Sequence, residues 1–330
     1  MLSVLLAIVL AHGLGTANVS WAAFSGYMVM RGHVLDSLRR GLLRLAGTAL
    51  GALGAVALGH IGNGPLMVAV DGGLVALVSL YGALTHRHAY AFLFLGLTFE
   101  MIGLDKLEHP GLDASAFAAT RCLEVLAGTL ACIVVSALST VTVRRRWPGS
   151  RLPAATSLGW HPQAFRHAAQ GAVAVALLPV LHAILPLPEL AQAAVSIMAA
   201  MVVAVPRLGP SGLAPVTVRL AQRVAGCVGG ALLAGAVLLV APGNGPAMLA
   251  GTVVGVGLGR LIENGRGTLS YSGTQFTLAV LVTLVPDSYA TADVGPGLDR
   301  LAGILCGIAI LEPVLVAWHV LAPRLGRRRA

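Results

Sequence analysis

Two ten-residue stretches of the chain share six identical positions: Arg44-Leu-Ala-Gly-Thr-Ala-Leu-Gly-Ala-Leu at 44–53 and Arg223-Val-Ala-Gly-Cys-Val-Gly-Gly-Ala-Leu at 223–232. The displacement of 179 residues that superimposes them also brings Arg121 onto Arg300. Further pairs coincide at that displacement: Arg40 with Arg219, Arg87 with Arg266, Thr98 with Thr277, and Gly128 with Gly307. One register over so long a span of apolar sequence indicates an internal duplication.

The composition excludes most classes of soluble protein. Of 330 residues, 57% are apolar and 11% are charged, and the mean hydropathy is +0.85. Soluble domains carry about 25% charged residues, so a cytosolic enzyme, a disordered chain and a secreted disulfide scaffold are excluded. A membrane-spanning helix needs roughly 20 apolar residues. The apolar runs predict twelve spans, at about 2–16, 19–30, 41–59, 65–83, 89–104, 117–142, 164–185, 189–205, 219–241, 245–262, 270–286 and 298–322.

Basic residues predict the orientation in the membrane. Nineteen of the 22 lysines and arginines fall at the C-terminus, in connections after even-numbered spans or in the span ends next to those connections, and the others are Lys106, Arg121 and Arg300. Because cytoplasmic loops are enriched in basic residues, both termini are predicted to be cytoplasmic. The net charge of +9 then reports topology rather than nucleic-acid binding. Met1 leads directly into the first span, which a start site assigned too far downstream would explain.

The predicted fold class is all-α: a polytopic membrane protein of about twelve transmembrane helices in two parallel six-helix repeats. Residues 1–142 form the first repeat, 143–163 a basic cytoplasmic linker, and 164–330 the second repeat with a basic tail. An even number of spans returns the chain to its starting side, so the repeats share one orientation and are related by an axis along the membrane normal. The seam between them is the predicted substrate path.

Several motifs, in order, resemble those of fusaric acid resistance (FUSC-like) membrane proteins, a group similar to aromatic acid exporters. They are Trp21-Ala-Ala, the basic stretch 39–44 with the repeat motif that follows it, Gln222-Arg223-Val-Ala-Gly, Tyr271-Ser-Gly-Thr-Gln275 and Asp299-Arg300-Leu-Ala-Gly-Ile-Leu-Cys-Gly307. The resemblance implies an inner-membrane efflux component for small aromatic or otherwise anionic organic acids, with a periplasmic adaptor in some members. Unlike longer exporters, this chain has no sizeable central cytoplasmic domain.

Arg121 and Arg300 break the charge pattern at equivalent positions, each near the outer start of the last span of its repeat. An arginine within a span is costly, and its planar fork suits a carboxylate. These two residues are therefore candidates for an anion site on the substrate path. The alternative is structural pairing, of Arg121 with Glu124 and of Arg300 with Asp299 or Asp293.

Four carboxylates are candidates for proton coupling or gating. Asp71, Glu100 and Glu124 lie in the outer half of the predicted first repeat, and Glu312 precedes Pro313 in the last span, where a kink is expected. Intramembrane acids commonly serve as proton relays. A water-filled vestibule for the first three, or a bond from Glu312 to a neighbouring helix, would explain them without coupling.

A second arginine set lies on the predicted cytoplasmic side: Arg40, Arg44, Arg219 and Arg223. Residues four apart share one helix face. These arginines either reach lipid phosphates and fix the orientation, or gather an anionic substrate at a cytoplasmic mouth.

No motif for nucleotide binding, metal binding or catalysis is present, and the four cysteines fall inside apolar runs without metal-ligand spacing. We therefore expect no enzymatic activity, no cofactor and no metal site. The expected function is export of small organic anions, most simply aromatic carboxylates, driven by protons. A passive organic-anion channel and a non-transporting membrane scaffold are the alternatives.

Overall fold

The computed structural model describes residues 1–62, 64–146, 151, 156–209, 211–265 and 268–327. All regular secondary structure in these residues is helical, and none of them is in a strand. Three sets of residues named above lie outside the described ranges: Arg266, part of the predicted linker (147–150 and 152–155), and the end of the basic tail (328–330).

The described residues form thirteen α-helices. They are α1 (Leu2–Gly13), α2 (Val19–Val29), α3 (Val34–Gly59), α4 (Pro65–Thr85), α5 (Ala89–Glu108), α6 (Ala114–Val141), α7 (Val143–Arg146), α8 (Pro162–His182), α9 (Leu190–Met201), α10 (Leu213–Val240), α11 (Gly245–Glu263), α12 (Ser270–Leu284) and α13 (Gly295–Arg327). Short 3₁₀ turns lie at Val205–Arg207 and Tyr289–Thr291. Each of the twelve predicted segments coincides with one helix, and α7 is an additional short one.

Seven of the described helices are long and apolar enough to cross a membrane: α3, α4, α6, α8, α10, α11 and α13. Two shorter helices, α1 and α9, are also apolar. The predicted all-helical membrane class is therefore confirmed, whereas the full set of twelve spans in two repeats stays a prediction.

Local sequence explains several helix starts. Proline stands in the first turn of α4, α8 and α11, where its fixed φ and its missing N–H cost nothing. The Asn244 Oδ1 atom accepts a hydrogen bond from the Ala247 N–H at 3.0 Å and so caps α11. At these three helices the predicted starts fall within two residues of the observed ones.

The chain folds into two compact units, and each unit draws on both halves of the sequence. The first unit comprises Met1–Ala46, Ala119–Ala154 and Gln222–Leu301; the second comprises Gly47–Ala118, Ala155–Ala221 and Ala302–Ala330. Four of the five boundaries fall within helices: α3, α6, α10 and α13. The first unit thus contains α1 and α2 with α11 and α12, and the second contains α8 and α9 with α4 and α5.

The short helices α2 and α9 are each capped by a carboxylate from a distant part of the chain. Asp287 accepts a hydrogen bond from the Val19 N–H at 2.9 Å, and Glu108 accepts from the N–H groups of Glu189 and Leu190 at 3.0 and 3.1 Å. Such carboxylates satisfy exposed donors at the positive end of the helix dipole. Glu108 and Asp287 are 179 residues apart, and each caps the second helix of the other half of the chain.

Glycines let helix backbones approach closely at equivalent places in the two halves. A Cβ on Gly47 or Gly51 would overlap a backbone carbonyl oxygen of α5, and a Cβ on Gly226 or Gly230 would overlap one of α12. These glycines therefore serve helix packing. The ladder Gly251, Gly255, Gly259 likewise packs, against side chains of α10 and α12.

The replacement Gly51→Ala is expected to lower stability by about 1–3 kcal/mol, because the new methyl group would overlap the carbonyl oxygen of Leu95. Gly103→Ala is the matched control, since no heavy atom lies within 4 Å of its ideal Cβ. A helical Gly→Ala change in open space is neutral or stabilises by up to about 1 kcal/mol. Thermal denaturation of the purified variants measures the difference, and equal transition temperatures would contradict the close approach of α3 and α5.

Candidate functional site

Four arginines are buried in the first unit. Arg44 and Arg223 are 1% exposed, and Arg121 and Arg300 are 8% exposed. Within each half of the sequence the two arginines are 77 residues apart. The interpretation of Arg44 and Arg223 as anchors for lipid phosphates is wrong, because both side chains are enclosed by protein. Buried guanidinium groups carry a large desolvation cost, so their partners decide what these arginines can do.

The first arginine cluster comprises Arg44, Arg121, Trp21, Phe24 and Glu124. The Cζ of Arg44 lies 4.8 Å from the centre of the Phe24 ring, and the Cζ of Arg121 lies 4.7 Å from the centre of the Trp21 ring. The two rings contact each other edge to face at 5.5 Å. Both cations therefore rest on one aromatic pair supplied by α2, an arrangement that stabilises partly desolvated arginine.

An internal ion pair completes this cluster. The Nη1 atom of Arg121 donates to Oε2 of Glu124 at 3.0 Å, and the side chain of Glu124 is fully buried. The predicted alternative of pairing between these two residues is confirmed as a contact. The first cluster thus contains its own carboxylate.

The second arginine cluster comprises Arg223, Arg300, Gln275 and Tyr271. Oε1 of Gln275 accepts from Nη1 of Arg223 at 3.0 Å and from Nη2 of Arg300 at 3.3 Å. Nη1 of Arg223 also donates to the Tyr271 hydroxyl at 3.3 Å. One amide oxygen therefore holds two guanidinium groups together.

Arg223 retains unused hydrogen-bonding capacity. Its Nε and Nη2 atoms are buried and have no hydrogen-bond partner among the described residues. These two N–H groups form one edge of the guanidinium fork, the edge that matches the two oxygens of a carboxylate. The groups to which Nη1 donates, Gln275 and Tyr271, carry no formal charge in their usual states.

Arg223 and Arg300 are predicted from the sequence to lie on opposite sides of the membrane, and the charge pattern predicts no contact between them. Gln275 lies about 14 Å before the end of α12, and Arg300 lies about 8 Å into α13. The long side chain of Arg300 spans the difference in depth between its backbone and Gln275. The role of Gln275 was missed, although an amide in the second turn of an apolar helix was a usable signal.

Arg40 and Arg219 have a different environment from the other two arginines of the predicted cytoplasmic set. Nε of Arg40 donates to the Met28 carbonyl oxygen at 3.0 Å, and Nη2 of Arg219 donates to the Ala199 carbonyl oxygen at 3.1 Å. These carbonyls lie in the last turns of α2 and α9, where cations interact favourably with the helix dipole. Both arginines therefore secure helix ends.

Glu100 is the most isolated of the candidate carboxyl groups. It lies in the second unit, is 2% exposed, and its Oε1 atom has no hydrogen-bond partner in the described part of the chain. Gly72 of α4 faces it, and a Cβ there would lie 2.8 Å from Oε2. The glycine thus makes room for this acid.

Asp71 and Glu312 have other surroundings. Asp71 lines a pocket of about 290 Å³ in the second unit, together with Asp113, Lys106 and His60. Oε1 of Glu312 accepts from the Thr217 hydroxyl at 2.7 Å. Helix α13 continues through Pro313 without a break. Glu312 is therefore bonded to a neighbouring helix, the alternative left open by the sequence.

No group of three or more His, Cys, Asp or Glu side chains within the described ranges is placed to hold a metal ion. The four cysteines are free thiols. Arginine, aromatic and carboxyl groups therefore supply the candidate chemistry of the site.

The family model described as fusaric acid resistance protein-like matches residues 6–135 and 190–311, which is more than half of the chain. The chain belongs to the fusaric acid resistance protein-like family. This is a family of membrane transporters, so the protein is a membrane protein of transporter type. One matched range falls in each half of the sequence, and together they include all four buried arginines. Comparison with curated proteins and comparison with solved structures gave no match.

Proposed function

We propose that this protein is a multi-pass permease of the inner membrane that exports small organic anions, with aromatic carboxylates as the preferred class. Both termini lie in the cytoplasm, and twelve helices form two parallel repeats with the substrate path between them. Fusaric acid, named in the family description, is itself an aromatic carboxylic acid. A periplasmic adaptor is a further partner implied by the family resemblance.

The observation that carries this proposal is the unused edge of Arg223. A buried guanidinium whose Nε and Nη2 lack partners among the described residues is prepared to receive a bidentate carboxylate. The neighbouring Arg300 adds a second positive charge, and Gln275 fixes both groups in place. The cost of keeping Arg223 buried is offset when an anion binds, which favours a substrate site over a purely structural role.

The contents of the two units support the two-repeat arrangement. Each unit combines the first two helices of one half with the fourth and fifth helices of the other. Glu108 of the first half caps α9 of the second, and Asp287 of the second half caps α2 of the first. The two acids are separated by the same 179 residues as the sequence repeat. A duplicated six-helix ancestor with parallel halves accounts for both features.

Glu100 is the proposed proton-coupling residue. A buried carboxylate without a partner is costly, and protonation removes that cost. Of the other candidates, Glu124 is bonded to Arg121 and Glu312 to Thr217, and Asp71 lines an open pocket. Glu100 therefore has the fewest competing interactions.

Flux measurements in proteoliposomes test the function. With the cytoplasmic face outward and an acidic lumen, a proton-driven exporter accumulates labelled benzoate inside, and a protonophore abolishes the accumulation. Passive diffusion of benzoic acid runs the other way, since weak acids collect on the alkaline side. A passive channel gives a current that reverses at the benzoate equilibrium potential, without uphill flux. The absence of any protein-dependent flux would favour the scaffold alternative and overturn the proposal.

A further inference from the structure

The first arginine cluster contains a carboxylate, Glu124, and the second cluster as defined above contains none. Arg44 and Arg121 have the same spacing and the same burial as Arg223 and Arg300. Three residues after Arg121 stands Glu124, whereas three residues after Arg300 stands Gly303. The first cluster therefore includes an acid on the next helical turn, and the second has a glycine at that place.

Glu124 contacts Arg121 in the way that the carboxylate of a bound organic anion would. Its Oε2 lies 3.0 Å from Nη1 of Arg121, its side chain is fully buried, and the Trp21 ring covers the same guanidinium. The Asp287 carboxylate also interacts electrostatically with Glu124, and it accepts a hydrogen bond from the Val19 N–H. A carboxylate thus sits inside an aromatic and arginine-lined cluster.

Position 303 itself has no room for an acid that would correspond to Glu124. A Cβ on Gly303 would lie 2.6 Å from Cβ of Gln192 and 2.9 Å from Cβ of Glu189. A side chain at this position would require Gln192 and Glu189 to shift. Among the described residues no carboxylate bonds to Arg223, so its Nε and Nη2 edge is left for an incoming anion.

We infer that Glu124 is a built-in occupant of the first arginine cluster, so that the cluster is a latent anion site and the protein binds one organic anion, at the second cluster. The inference rests on the proposed function in taking the substrate to be an organic anion. Removal of the Glu124 carboxylate opens the latent site to a small aromatic carboxylate, whose ring can contact Trp21 and Phe24.

Equilibrium binding of labelled benzoate to the purified, detergent-solubilised protein tests this inference. The unmodified protein is expected to bind one benzoate and Glu124→Ala two. Adding Arg121→Gln to Glu124→Ala should return the number to one. Adding Arg223→Gln to Glu124→Ala should also leave one, now at the latent site.

The outcomes separate this inference from the proposed function. One benzoate for both the unmodified protein and Glu124→Ala would overturn the inference and leave the function standing. No binding to the unmodified protein with one benzoate on Glu124→Ala would remove the proposed substrate site and support the inference.

A stability measurement covers the case in which Glu124→Ala is too unstable for binding work. Formate fits the space that the carboxylate vacates, and a ligand that binds the folded state raises the transition temperature. Formate should raise the Tm of Glu124→Ala by several degrees more than that of the unmodified protein. Equal shifts would overturn the inference.

Discussion

Replacement of Arg223 by glutamine is expected to weaken benzoate binding roughly 100-fold and to abolish benzoate flux. Loss of one partner from a buried, hydrogen-bonded charge pair costs about 3 kcal/mol, and about 1.4 kcal/mol corresponds to a factor of ten in affinity. Arg223 offers its Nε and Nη2 edge to the substrate, and glutamine cannot reproduce that fork. Equilibrium binding and proteoliposome flux measure the two effects.

Two further variants control the experiment. Arg39→Gln removes the same charge from an exposed position of α3, and it should leave binding and flux within about twofold of the unmodified protein. Arg223→Lys keeps the charge and loses the planar fork, so it should bind at an intermediate level. Unchanged binding by Arg223→Gln, with Arg39→Gln also unchanged, would rule out the Arg223 site.

Replacement of Glu100 by glutamine is expected to abolish benzoate accumulation driven by a proton gradient while preserving exchange of internal for external benzoate. Glutamine fills the space beside Gly72 and carries neither a charge nor a titrating proton. The anion site in the second arginine cluster is untouched, so binding should persist. Parallel measurements of accumulation and exchange separate coupling from transport.

Glu312→Gln is the matched variant for this experiment. Its amide oxygen can accept the same hydrogen bond from Thr217, so both accumulation and exchange should be retained. Full accumulation by Glu100→Gln would show that coupling does not pass through Glu100. Loss of accumulation in Glu312→Gln alone would move the coupling role to α13.

The helices were predictable because their signals are local. Apolar runs bounded by proline, glycine and charge located twelve of the thirteen helices, and the start of α4 at Pro65 follows directly from proline geometry. Whether a short helix such as α2 crosses the membrane depends on how neighbouring helices cover it. No local sequence pattern encodes that coverage. The twelve-span topology therefore stays a prediction.

The environments of the arginines were not predictable. Counting basic residues assigns a side of the membrane to Arg44 and Arg223 but says nothing about burial, and both are enclosed by protein. The sharing of Gln275 by Arg223 and Arg300 depends on the depth at which α12 and α13 meet. The pairing of Arg121 with Glu124 was predictable from the sequence because residues three apart on a helix are neighbours.

A structure determined with bound 4-iodobenzoate is the decisive experiment for the anion site, because iodine marks the position of the ligand. We expect one ligand whose carboxylate oxygens lie about 2.7–2.9 Å from Nε and Nη2 of Arg223, with Glu124 still bonded to Arg121. A ligand bound at saturation in another part of the protein, with that edge of Arg223 unoccupied, would refute the assignment of the substrate to Arg223.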